Sequence, residues 1–158
     1  MDDNDGWVEI QREFDAPIED VWAMWTKPEL FSQWYGPNGM SVPSAEMDVT
    51  VGGARKICME MSLQDRRMTM WFTGVYKEVT PPKRLVYTES MCDADGTVIS
   101  PQSMGMPKGY PEVTEVIVEL SQREGKTLMK MFHIGVPAGS AGEGGWNQAF
   151  DKLTALVD

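Results

Sequence analysis

Histidine and cysteine are nearly absent from this 158-residue chain, which carries one histidine, His133, and two cysteines, Cys58 and Cys92. A zinc set needs about four nitrogen or sulfur ligands gathered together, and these scattered residues supply no such spacing. Long apolar runs are missing too. No stretch approaches the roughly 18 apolar residues of a membrane-spanning helix, and the first residues lack the basic and apolar blocks of a secretory signal. Base is scarce: 14 Lys and Arg against 24 Asp and Glu leave a formal charge of −10. Nucleic acid and anionic membrane surfaces therefore repel the chain as a whole. The short basic words "RR" at 66–67 and "PPKR" at 81–84 build no patch. Without an export signal, reduced thiols and a cytoplasmic location are the expectation. The glycine-rich "AGSAGEGG" lacks the lysine of a phosphate loop. Ser140 with His133 has neither a nucleophile elbow nor a third member. No metal, no cofactor and no catalytic residue is expected, and nothing in the sequence identifies an enzyme.

What is present fits a globular domain over 1–158, with 42% hydrophobic and 24% charged residues. The leading "MDDND" (1–5) is expected to be a solvated, disordered acidic tail. Residues 7–14, "WVEIQREF", read as a strand. Asp15 then serves as a helix cap before Pro17, with Ile18, Val21, Trp22 and Trp25 on one apolar face. Thr26 and Glu29 stand at capping-box spacing before a second short helix carrying Leu30, Phe31 and Trp34, which "YGPNG" stops. Beyond it the period becomes two. "AEMDVTVGGARKICMEMSL" gives two strands or one bent strand, "RRMTMWFTGVYKEV" and "RLVYTESM" give two more, and "EVTEVIVEL" with "KTLMKMFHI" forms a hairpin turning at Gly125. Residues 97–111, with Pro101, Pro107 and Pro111, form a long loop that Met104, Met106 and Tyr110 would suit as a lid. A C-terminal helix carries the stripe Trp146, Ala149, Phe150, Leu153, Leu156 and Val157, with Ser140 and Glu143 at capping-box spacing. The glycines of "GEGG" weaken its first turn. The expected class is α+β: a curved antiparallel sheet of about six or seven strands wrapped around the long C-terminal helix, a helix-grip arrangement, with two short helices after the first strand.

Strand alternation sets the phase of each inner face. Lys56 and Glu60 want water, so Arg55, Ile57, Met59 and Met61 look inward. Lys130 does the same for Met129, Met131 and His133. Leu85, Tyr87 and Glu89 share one face, and Val116, Val118 and Leu120 another. The resulting trough is rich in methionine, which serves either as flexible core filler or as a plastic lining for an apolar ligand. Inward Arg55 calls for a partner, and Glu89 is the natural one. Arg55 otherwise snorkels to water at an edge, or anchors a ligand carboxylate or phosphate. His133 reads as a buried, hydrogen-bonded histidine, with a general base or metal ligand as the sharper alternative. Phe31 is core. Trp34 and Tyr35 either join it or rim the mouth of the trough, where Trp146 and Phe150 of the last helix also stand.

The words "FDAPIEDVWAMWTKPELFSQWYGP", "DVTVGG", "GVYKEVTPPKRLVYT", "TEVIVEL", "KTLMKMFHIGVP" and "GWNQAFDKL" follow one another over residues 7 to 157. In that order they resemble the activator-of-heat-shock-protein-ATPase-like domains of the START-like, birch-pollen-allergen-like (SRPBCC) superfamily. The resemblance implies a helix-grip fold with a cavity between sheet and long helix. Superfamily members bind lipids, hormones and polyketides, some are cyclases or hydrolases, and the eponymous relatives bind a chaperone. Family members often carry a histidine where His133 stands in "H-x-G-x-P". The expected function is binding of a small apolar or amphipathic molecule in the cavity. One alternative is an interaction module with a chaperone ATPase as partner; another is a cofactor-free cyclase or hydrolase.

Overall fold

The computed structural model describes residues 6–104 and 111–158. The acidic tail 1–5 and residues 105–110 of the expected 97–111 lid lie outside the described residues. Period-two alternation becomes strands β1 (Trp7–Phe14), β2 (Met40–Met47), β3 (Ala54–Ser62), β4 (Arg67–Thr80), β5 (Arg84–Cys92), β6 (Thr114–Arg123) and β7 (Lys126–Pro137). They form one seven-stranded sheet in the order β1-β7-β6-β5-β4-β3-β2, with every neighbouring pair antiparallel. Two short helices, α1 (Ile18–Thr26) and α2 (Pro28–Phe31), lead from β1 to β2, the opposite edges of that sheet. They therefore close one end of the trough. Helix α3 (Ala141–Val157) lies along its inner face, packed on β1, β7 and α1. The expected α+β helix-grip architecture is the one observed. Among the described residues, no helix is long and apolar enough to cross a membrane.

Turn chemistry fixes the register. Arg123 faces Lys126 across a two-residue loop in which Glu124 and Gly125 both have positive φ, 53° and 78°. That conformation matches the twist of a tight hairpin, and glycine adopts it freely. Pro43 falls where the β2–β3 register shifts, on an edge strand that tolerates a missing donor. Cys58 and Cys92 both pair with Trp71 of the strand between them. Two strand spacings, about 9–10 Å, exceed the reach of a disulfide, and both thiols are free and buried. Burial pushes both upward from their ordinary pKa.

The helix caps differ from expectation. Asp15 caps nothing: Pro17 occupies the N-cap position of α1, and the Ile18 N–H donates to Gln122 Oε1 at 3.0 Å. Thr26 and Glu29 form no capping box, because the Thr26 hydroxyl donates to the Trp22 carbonyl at 2.9 Å and Lys27 holds the N-cap position of α2. Trp34 follows α2 in a turn rather than lying on it. Ser140 sits at the N-cap position of α3, yet its hydroxyl finds no partner among the described residues. The apolar stripe of α3 is buried at Trp146, Ala149, Phe150 and Leu153; Val157 packs partly buried against the core, and Leu156, 44% exposed, turns to solvent. Phe150 and Leu153 each contribute about 1.5–3 kcal/mol on burial, which is what holds a helix with so weak a first turn.

A candidate ligand-binding cleft

Aromatic packing sets the floor of the site. Phe31 stacks on Tyr35 with ring centroids 4.4 Å apart, and Trp34 meets Trp25 edge-on at 4.8 Å. Trp34 is fully buried and its indole N–H donates to the Met24 carbonyl at 2.9 Å. It lies in the core. Tyr35, also buried, turns its hydroxyl to Glu89 and donates to Oε2 at 2.9 Å. Burial raises the Tyr35 phenol well above its ordinary pKa, and the charge of Glu89 adds to the rise.

The inward arginine finds the partner expected of it. Arg55 Nη1 lies 3.2 Å from Glu89 Oε2, and the guanidinium rests 3.8 Å from the centre of the Tyr87 ring. Burial works against the Arg55 charge, but the tyrosines and Glu89 around it more than restore it, so its pKa is raised. Arg55 is 1% exposed, so it does not snorkel to water. Its Nε and Nη2, like the hydroxyls of Tyr76 and Tyr87, have no hydrogen-bond partner among the described residues.

His133 is fixed in a series of three hydrogen bonds, accepting one and donating the next. The Trp146 indole N–H, which can only donate, gives its proton to His133 Nδ1 at 2.9 Å. The ring proton of the neutral imidazole is therefore on Nε2, which donates to Thr114 Oγ1 at 2.8 Å. The Thr114 hydroxyl then donates to the Glu89 carbonyl at 3.1 Å. This chain ties α3 through β7 and β6 to β5. Burial lowers the His133 pKa, in keeping with a ring whose Nδ1 must stay unprotonated. Both ring nitrogens are engaged, which leaves neither free as a general base. Among the described residues no group of His, Cys, Asp and Glu could hold a metal ion.

Between the sheet and the first turns of α3 lies a cleft with two lobes. One, of about 170 Å³, is walled by Tyr35, Gly36, Pro37, Met59, Phe72, Glu89, Ala141, Gly142, Gly145, Trp146 and Ala149. The other, of about 150 Å³, is walled by Phe72, Glu89, Ser90, Met91, Thr114, His133, Val136, Gly142 and Trp146, with Pro101, Pro111 and Glu112 at its rim. Phe72, Glu89, Gly142 and Trp146 belong to both. The described part of the 97–111 loop thus reaches the second lobe through Pro101 and Pro111.

The structure brings Tyr35, Met59, Glu89, His133 and Trp146 of the expected site together on this cleft. Trp34, Arg55, Ile57, Tyr87, Val118, Met129, Met131 and Phe150 line neither lobe; each is 0–1% exposed and belongs to the packed interior. Met61 is half-buried where β3 pairs with Met40 of β2, also away from the cleft. Sequence reasoning missed Phe72, Gly36, Pro37 and the two helix glycines. The available signal was "GEGG": glycine at the start of an amphipathic helix marks a place where side chains are kept out.

The sequence matches the family model described as Activator of Hsp90 ATPase homolog 1-like protein over residues 15–158. No curated protein matches the chain. Among solved structures, a protein from Chromobacterium violaceum is 26% identical with a TM-score of 0.74, covering 96% of each chain. A protein from Mycobacterium smegmatis has a TM-score of 0.76 at 17% identity, over 99% of this chain and 93% of its own. The AHSA1 protein from Silicibacter pomeroyi has a TM-score of 0.69 at 20% identity, over 94% and 95%. A seven-stranded sheet closed on a C-terminal helix, and a family match that runs from the first helix to the last residue, place this chain in the Activator of Hsp90 ATPase homolog 1-like family of the START-like fold.

Proposed function

We propose that this protein binds a small apolar or amphipathic molecule in the cleft between the sheet and the start of α3. The observation that carries the reading is the wall that α3 offers. Gly142, Gly145 and Ala149 face the larger lobe with little or no side chain. Glycine within a helix costs about 1 kcal/mol relative to alanine, so this turn gives up stability on the face where the space lies. At Gly145 the loss is not forced by crowding, because an added Cβ would sit 3.7 Å from the nearest atom, Cβ of Pro37. The pocket walls are otherwise mainly Met, Phe, Trp and Pro, with one carboxylate, as small-molecule sites tend to be. The family description favours a second reading, a surface that engages a chaperone ATPase. The cleft gives no particular support to that one.

Titration with a ring-sized apolar probe such as toluene, followed by the amide signals of Gly142 and Gly145 and the indole N–H of Trp146, tests the first reading. Saturable shifts at these groups are expected, with loss of binding in Gly145→Leu. Shifts that stay linear to the solubility limit, or that persist unchanged in Gly145→Leu, would remove the cleft as a site.

A further inference from the structure

The same cleft carries one buried charged group. Of the side chains walling the larger lobe, Glu89 alone is charged. Its Oε2 already accepts from both Tyr35 and Arg55, while Oε1 takes no hydrogen bond among the described residues. A carboxylate has acceptor capacity on both oxygens, and Glu89 keeps 7% of its surface exposed as part of this wall. The side-chain donors nearby are committed: the Tyr35 hydroxyl to Glu89, and the Trp146 indole to His133. Arg55 is sealed behind Glu89 and lines neither lobe. Among the described residues the wall thus presents an acceptor with no free side-chain donor, and the ligand must bring the donor.

Charge and size narrow the class. Arg55 already balances Glu89, so an ammonium would add an uncompensated charge to an apolar, half-enclosed space. A ligand carboxylate would meet Glu89 itself. A neutral donor escapes both costs. The lobe measures about 170 Å³, and an apolar cavity of roughly 150 Å³ accommodates benzene. We propose that the larger lobe takes a neutral, ring-sized molecule carrying a hydroxyl, a phenol or a cyclic alcohol, with the O–H donating to Glu89 Oε1 and the ring packed between Phe72, Met59 and Trp146.

The inference rests on the cleft being a ligand site, and a matched series separates the two. Phenol, anisole, toluene, benzylamine and benzoate are titrated into the wild-type protein, with dissociation constants read from the Gly145 amide and Trp146 indole signals. Phenol is expected to bind at least tenfold more tightly than anisole or toluene, and more tightly than either ion. Equal binding of phenol, anisole and toluene would overturn the hydroxyl preference while leaving an apolar site intact. Tighter binding of benzoate or benzylamine would overturn it in favour of an ionic ligand. If no probe binds, the cleft reading itself fails, and the preference with it. Wild-type protein carries the comparison because replacing Glu89 strands the buried Arg55 charge and endangers the fold. Gly145→Leu, expected to abolish phenol binding, confirms the location.

Discussion

His133 shows how much one side chain can be made to do by its hydrogen bonds. Because Trp146 can only donate, the imidazole must accept at Nδ1, and its protonation breaks the link between α3 and the sheet. The folded-state pKa is lowered by burial. A histidine shifted downward contributes stability that is fully present above its unfolded value of about 6.5 and is lost as pH falls through the folded value. Urea unfolding at pH 7.5 and pH 5.0 is therefore expected to show the wild type losing its advantage over His133→Gln on acidification. Glutamine keeps a donor and an acceptor but does not titrate. The slope difference is at most about 1.4 kcal/mol per pH unit for one proton; an advantage unchanged with pH would mean the ring is not held neutral. At this scale the sequence was informative wherever a charged neighbour set the phase. Lys56, Glu60 and Lys130 pointed outward, which turned Arg55 and His133 inward, and the Arg55–Glu89 pair followed. Trp34 and Tyr35 lie in a turn, where no period exists to say which way a ring faces. Only the packed structure separates a core tryptophan from a tyrosine on the cleft wall.

Strands were legible and helix ends were not, for one physical reason. A strand announces itself by local alternation, but a cap is satisfied by whatever side chain is near in space. The α1 terminus is bonded by Gln122 from the far end of β6, and the Asp15 N–H by Asp158 from the last residue of the chain. Short-range rules pointed to Asp15, Thr26 and Ser140 instead, and none of these side chains caps a helix here. The glycines of α3 allow a direct test of what its first turn is for. Added to Gly144, a Cβ meets nothing within 4 Å; added to Gly142, it meets Val136 Cγ1 at 2.7 Å. Gly144→Ala is expected to stabilise the protein by about 1 kcal/mol, the helix propensity difference. In a chain of this size that is a rise in Tm of about 2–4 °C. Gly142→Ala should lower Tm, since the clash outweighs the propensity gain. Equal shifts for both would show that α3 does not pack against β7 at this turn.

For the whole molecule, the sheet order is what creates a site. Placing β1 beside β7 and β2 at the far edge leaves a trough with α3 on its floor and α1 and α2 across one end. The grip on α3 and the two short helices at one end followed from the order of strands and helices; the pairing of β1 with β7 did not. Whether the trough stays open did not follow, because it depends on how side chains divide the volume between them. Met129 and Met131 are wholly buried in the interior, while the glycine face of α3 borders the cleft. The helix is therefore held firmly at Trp146, Phe150 and Leu153 and lightly over residues 141–145, where a turn without a side-chain cap meets a cleft. Regions with few buried apolar contacts open locally at lower free energy than the core. Amide hydrogen exchange is expected to be faster over residues 141–145 than over 149–153, and far faster than in the paired stretch of β6 and β7. A molecule seated between Phe72 of β4 and Gly145 of α3 bridges sheet and helix, so it should slow exchange over 141–145 in particular, by up to the hundredfold that ligand at about 100 times its dissociation constant provides. Exchange over 141–145 that matches the rest of α3 and ignores a saturating ligand would mean that the start of the helix is as rigid as its end, and that ligand and cleft do not meet.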